Sequence, residues 1–247
     1  MQPGRVSGLL LRPENARVLY VLAHGAGAGM RHPFLENVAR ALAGRGIATL
    51  RYQFPYLETG SRRPDPPWIL EAVVRRAVET AAELAPGLPL LAGGKSMGGR
   101  MTSNAAARKP LEGVVGLVFL GFPLHPAGAP ATTRAEHLQQ IGAPVGQSGP
   151  AASGRRAGSE GRRDLPMLFL QGTRDALADA TLMRDVCRRL GARATLHFVD
   201  GADHSFAVLK RSGRTAVDVL EELARTLDDW ATRILAPAKT RGRGRSR

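Results

Sequence analysis

The sequence predicts an α/β fold, a mainly parallel sheet covered by helices on both faces, and two observations carry that expectation. Short apolar runs of strand length alternate along the chain with longer segments whose apolar residues recur every three to four positions. One run leads straight into Gly94-Lys95-Ser96-Met97-Gly98, a glycine-flanked turn at the start of a helical segment. Strands that hand over to helices in this way form βα units, and successive units bury a parallel sheet on both sides.

Val6 to Leu11 and Arg17 to Ala23 are apolar runs separated by Pro13-Glu-Asn-Ala, the pattern of an antiparallel hairpin. Pro33 opens a helix with Phe34, Val38, Ala41 and Leu42 on one face, and Gly44 and Gly46 end it. Ile47 to Tyr52 reads as the next strand, and Phe54 to Pro67 as a loop rich in proline and arginine. Trp68 to Leu84 carries apolar residues at 69, 73, 77, 78, 81 and 84, an amphipathic helix. The strand Leu88 to Gly93, the helix Met97 to Lys109 and the strand Val114 to Leu120 follow. Pro166 to Leu170 and Ala194 to Val199 are short strands on either side of a helix from about Ala178 to Leu190. Thr215 to Leu235 closes the pattern, with Val219, Leu220, Leu223, Leu227 and Trp230 as its buried stripe.

At 247 residues the chain accommodates one such domain, expected over 1–236. Two segments stand apart by composition. Residues 146–164 are mostly Gly, Ser, Ala, Pro and Arg with no large apolar side chain, so a flexible insertion is expected there. Residues 237–247 form an arginine-rich tail, expected to be disordered.

The net charge of +14 is nearly all arginine, since lysine occurs only at 95, 109, 210 and 239. Abundant Arg, Ala, Gly and Pro with scarce Lys is what GC-rich coding produces without selection for binding. The tail could attract nucleic acid through phosphate neutralisation. No folded recognition motif accompanies it, so nucleic acid is not the expected partner. No apolar run spans a bilayer, and Met-Gln-Pro-Gly-Arg lacks a basic-then-apolar leader, so a cytoplasmic protein without membrane contact is expected. The single cysteine, Cys187, agrees with a reducing compartment and reads as a buried, inert thiol.

Ser96 is the candidate nucleophile. Glycines two residues to either side permit a turn too tight for side chains, which holds the serine strained with its hydroxyl projecting from the sheet. A serine hydroxyl needs a base, an orienting acid and an oxyanion site. Asp175 follows the strand Pro166 to Leu170, and His204 follows the strand Ala194 to Val199 in a glycine-containing loop. Active-site loops of open α/β sheets gather at such strand ends. The reading is Ser96 as nucleophile, His204 as base and then acid, and Asp175 as the group that orients His204. Asp203, Asp179 and Asp200 are alternative acids; Asp203 adjoins His204 in sequence, so its side chain is expected to point elsewhere. For the oxyanion, the backbone N–H of Met97 is one donor. The other is expected from His24-Gly-Ala-Gly-Ala-Gly29, with Ala26 preferred and Gly25 next.

The remaining histidines read as structural. His24 is expected to fix its loop, His32 to be exposed, and His197 to pack within its strand. His125 and His137, on a presumed lid, are expected at the surface. Phe54, Tyr56, Phe122 and Leu124 fit an acyl pocket or ordinary core equally well. Scattered histidines offer no metal-ligand spacing, and no G-x-G-x-x-G follows a strand, so neither metal nor organic cofactor is expected.

These segments together resemble the α/β-hydrolase superfamily over roughly residues 6 to 235. Six motifs carry a closer resemblance: His24-Gly-Ala-Gly-Ala-Gly29, Arg51-Tyr-Gln-Phe-Pro-Tyr56, Gly94-Lys-Ser-Met-Gly-Gly-Arg100, Gly121-Phe-Pro-Leu-His125, Gln171-Gly-Thr-Arg-Asp175 and Asp203-His-Ser205. They are similar to the small hydrolases related to dienelactone hydrolase, and among these to the testis-expressed hydrolase-like proteins. The resemblance implies about seven strands and little or no cap domain. True dienelactone hydrolases use a cysteine where this chain has Ser96, so their lactone chemistry does not carry over. The segment 146–163 also departs from that group.

The function expected is a serine hydrolase that cleaves a small carboxylic ester or related acyl compound through an acyl-enzyme. The alternative is a catalytically silent scaffold of the same fold that serves as an interaction module. Neither the acyl chain, nor the leaving group, nor the oligomeric state is legible.

Overall fold

The computed structural model describes residues 6–142 and 165–236. The expected insertion 146–164 and the tail 237–247 lie outside the described residues.

Seven strands form one sheet: β1 (Gly8–Leu11), β2 (Val18–Ala23), β3 (Ile47–Tyr52), β4 (Leu90–Lys95), β5 (Val114–Leu120), β6 (Met167–Gly172) and β7 (Ala194–Val199). Their order is β1-β3-β2-β4-β5-β6-β7, parallel throughout except that β1 runs antiparallel to β3. The expected hairpin of β1 with β2 is therefore wrong. Every residue of β2 is buried, and its two edges are taken by β3 and β4, which leaves none for β1. β1 alternates between exposed and half-buried residues, as an edge strand does, and pairs Gly8 with Tyr52 and Leu11 with Thr49.

The helices are α1 (Pro33–Ala43), α2 (Pro55–Glu58), α3 (Pro67–Leu84), α4 (Met97–Arg108), α5 (Ala180–Leu190) and α6 (Ala216–Leu235). The single turn of α2 interrupts what the sequence suggested was a plain loop; Pro55 starts it with a preset φ. α6 begins on a capping box, with Thr215 accepting from the Asp218 amide and the Asp218 carboxylate accepting from the Thr215 amide.

Two apolar layers cover the sheet. Leu35, Val38 and Leu42 of α1 and Val219, Leu223, Leu227 and Trp230 of α6 pack on one face with Leu91, Val118 and Leu168. Residues of α3, α4 and α5 pack on the other face with Phe119 and Phe169. A 3₁₀ segment, Thr133–Gln140, lies against α4 and buries Ala135 and Leu138; among the described residues there is no separate cap domain. No described helix is long and apolar enough to cross a membrane.

The strand order reverses between β2 and β4, because β3 lies on one side of β2 and β4 on the other. Such a reversal sends the loops after the two strands to opposite faces and opens a crevice at their carboxyl ends. Those loops are His24–Gly29 and the turn at Ser96.

Candidate active site

Ser96 joins β4 to α4 with φ 50 and ψ −117, a strained conformation for a residue with a side chain. Its amide donates to the Leu120 carbonyl of β5 at 3.1 Å, which ties the turn to the sheet. The flanking glycines are required by close approach. A Cβ at Gly94 would stand 2.3 Å from the Ala23 carbonyl oxygen, and one at Gly98 2.5 Å from that of His24. The end of β2 thus presses directly on both sides of the turn.

Ser96 Oγ lies 2.8 Å from His204 Nε2, and His204 Nδ1 lies 2.7 Å from Asp175 Oδ2. The Asp175 side chain is wholly buried, while that of His204 is about a quarter exposed. Asp175 is held at both oxygens: Oδ1 accepts from the Leu177 amide at 2.8 Å, and Oδ2 accepts from the Gln171 side chain of β6. With Asp175 ionised, Nδ1 of His204 carries the proton, and Nε2 is left to accept from the Ser96 hydroxyl. Three chain-distant residues therefore form one line of hydrogen bonds at the ends of β4, β6 and β7.

The alternative acids are occupied elsewhere. Asp203 accepts from the amides of Ser205 and Ala207 at 2.8 and 2.9 Å, closing its own bend. Asp179 caps α5 by accepting from Thr181 and Leu182. Asp200 accepts from Thr173 Oγ1 at 3.3 Å.

The glycine loop after β2 passes beside Ser96: a Cβ on buried Gly25 would lie 3.7 Å from that of Ser96. Ala26 is exposed, and Met97 opens α4. Residues 51–56 hold this loop in place, a role the sequence motif alone did not disclose. Buried His24 accepts at Nε2 from the Phe54 amide at 3.0 Å, so its proton sits on Nδ1 and is donated to the Gly25 carbonyl at 2.8 Å. Burial pulls its pKa below the usual histidine value, which keeps it neutral. Tyr56 Oη accepts from the Gly27 amide at 3.0 Å, Gln53 Oε1 accepts from Met30 at 2.8 Å, and Arg51 donates to the Met30 carbonyl at 3.2 Å.

Two expectations about the lid histidines are corrected. His125 is buried at 3% exposure, not at the surface. Its Nδ1 donates to the Pro126 carbonyl and its Nε2 accepts from the Asp179 amide at 2.9 Å, joining the chain after β5 to the start of α5. His137 is half-buried and lies 2.7 Å from Ser103 Oγ on α4; burial pulls it down to about 4. Ser103 is itself wholly buried and donates back to the Arg100 carbonyl, so this second Ser–His contact docks the 3₁₀ segment and presents no hydroxyl to solvent. His32 is exposed and caps α1, and His197 pairs with Glu222 at 2.7 Å in addition to packing in β7. Phe54, Tyr56, Phe122 and Leu124 all lie in the α3–α4–α5 core. Burial raises the Cys187 thiol to about 12, which leaves it protonated.

A family profile described as Alpha/beta hydrolase domain matches residues 16–148 and 152–232. The chain belongs to this family. As an α/β-hydrolase it is similar in fold to solved structures of low sequence identity. A dienelactone hydrolase from Anabaena variabilis is 19% identical with a TM-score of 0.66, over 92% of this chain and 91% of that one. A lidless α/β serine hydrolase from Xanthomonas campestris is 20% identical with a TM-score of 0.65, over 92% and 90%. An α/β serine hydrolase homologue from Coxiella burnetii is 17% identical with a TM-score of 0.65, over 90% and 91%.

Proposed function

We propose that this α/β-hydrolase is a serine hydrolase that cleaves a small carboxylic ester or related acyl compound through an acyl-enzyme on Ser96. The observation that carries this reading is the unbroken line from Asp175 through His204 to Ser96, with every link between 2.7 and 2.8 Å. His204 Nε2 takes the Ser96 proton as Oγ attacks the acyl carbon, and Asp175 stabilises the imidazolium that forms. The oxyanion is held by the N–H of Met97, at the positive end of α4, and by that of Ala26 in the glycine loop, with Gly25 the next candidate. His204 then returns the proton to the leaving alcohol. Water, activated by the same imidazole, releases the acid and restores Ser96.

Labelling with a fluorophosphonate tests this directly, because the probe reacts with an activated serine. Wild type is expected to be labelled, and Ser96→Ala to lose the label completely. A folded wild type that resists the probe would sink the hydrolase reading and leave the silent scaffold in its place.

A further inference from the structure

Lys95, the last residue of β4 and the neighbour of Ser96, is a half-buried titratable group that the steps above do not use. Strand alternation puts its side chain on the same face as Leu91, which belongs to the α1–α6 layer. It therefore runs beneath the His204 loop and away from α4. Its Nζ stands 5.6 Å from the centroid of the Phe206 ring. It would also lie 3.1 Å from a Cβ at Gly121, a residue in the left-handed region at φ +67. That same point is 3.5 Å from the His204 carbonyl oxygen and 3.6 Å from Asp175 Oδ2, so the ammonium shares one small space with both. Phe206 has a positive φ of 63 and stacks on Phe34 of α1 at 5.6 Å. The lysine is thus packed against the bend that carries His204.

A cation is an expensive residue for such a place. Among the described residues no carboxylate comes within the 4.0 Å of an ion pair. Burial pulls the Lys95 ammonium down to about 8, while the charges of Asp175 and Asp203 oppose the change. A hydrophobic side chain would fill the same space without the desolvation cost. The charge therefore calls for an account beyond packing, and His204 is the titrating group whose loop it underlies.

We propose that Lys95 is a positioning residue of the site, whose ammonium beneath the His204 loop sets the basicity of His204 and holds that loop over Ser96. The functional part of this proposal rests on the serine hydrolase reading. A nearby cation disfavours the imidazolium and favours the carboxylate of Asp175. The charged groups around the space beneath the His204 loop are Asp175 from the end of β6, Asp203 from the loop itself, with its carboxylate turned to the Ser205 and Ala207 amides, and Lys95 from β4. Gly121, which follows β5, adds no charge there, and α1 meets Phe206 through the Phe34 ring.

Lys95→Gln removes the charge and keeps a polar side chain, and Lys95→Met keeps the length; either folded variant serves. The rate of fluorophosphonate labelling is followed against pH, and the His204 ring protons are titrated by NMR in the same proteins, assigned with His204→Gln. Loss of the cation is expected to move the acid limb of labelling, and the His204 midpoint with it, upward by about 0.5 to 1 pH unit. Labelling that slows equally at every pH, with the limb and the NMR midpoint unmoved, overturns the proposal and leaves Lys95 a packing residue. If wild type resists the probe altogether, the hydrolase reading fails on its own account. The NMR midpoint still decides whether Lys95 acts on His204, and a coincident midpoint in wild type and variant overturns it.

Discussion

Asp175 and Asp203 approach the same histidine from different elements, and backbone geometry separates their contributions. Asp175 stands past the end of β6, wholly buried, and meets Nδ1 of His204 at 2.7 Å. Asp203 is one peptide bond from His204 and spends its carboxylate on the Ser205 and Ala207 amides. Under the proposed mechanism Asp175→Asn leaves His204 in the wrong tautomer, and kcat on a chromogenic ester is expected to fall by ~10⁴ with the fold intact. Asp203→Asn keeps an acceptor for the bend and is expected to cost far less. Both rates measured on one ester decide the matter, and the reverse ranking would move the orienting acid to Asp203. At this scale placement was legible: Ser96, Asp175 and His204 each read as strand-end residues, and the structure brings their side chains into one line of hydrogen bonds. The sequence was silent where meaning depends on a partner far along the chain. His125 and His137 carry no local mark of burial, because the Asp179 amide and the Ser103 hydroxyl that receive them lie 54 and 34 residues away.

Elements rather than single residues hold the glycine loop and the 3₁₀ segment. The loop after β2 has few bonds of its own and is fixed from outside by the stretch that joins β3 to α2. Tyr56→Phe deletes the acceptor for the Gly27 amide. Gly27 is exposed, so water can replace the lost partner, and the stability cost should stay near 1 kcal/mol. The proposed oxyanion donor Ala26 precedes Gly27, so turnover should suffer more, by about tenfold. Stopped-flow or steady-state kinetics beside a melting curve checks the split, and unchanged kcat would detach this loop from the chemistry. The 3₁₀ segment reports differently, through pH. His137 titrates at about 4 when docked, against about 6.5 in an unfolded chain. As pH falls through that window the unfolded chain takes up the proton first, so stability is lost between about 6.5 and 4 and is unaffected above it. His137→Gln should flatten this part of the stability curve. An equally steep acid loss of Tm in wild type and variant would refute the assignment. The strands and helices themselves were legible because each buries a periodic stripe. The partner of β1 was not, because a short edge strand suits any neighbour with a free edge, and only the full strand order shows that β2 has none.

Among the described residues the fold closes at α6, and this bears on the arginine-rich sequence that follows. Val219, Leu223, Ala224, Leu227, Trp230 and Ala231 fill the layer over Leu91, Val118 and Leu168, and the helix ends at Leu235 with that layer complete. The proposed site lies at the carboxyl ends of β4, β6 and β7, where residues 96, 175 and 204 meet beside the 24–29 loop. Residues 237–247 contain no apolar side chain larger than alanine or proline, so their composition offers nothing to pack against either region. A chain ended after Ala236 should keep its melting temperature and hold kcat/KM within about threefold of the full chain, since terminal changes seldom cost more than ~0.5 kcal/mol. What it should lose is salt-sensitive retention on a polyanion, because the tail concentrates positive charge that phosphate groups neutralise without reading sequence. Heparin elution in a salt gradient and ester hydrolysis, run on both chains, separate the two properties. A large fall in turnover at constant Tm would place the tail in the site, and a truncated chain that elutes at the same salt as the full one would assign the basic surface to the folded domain.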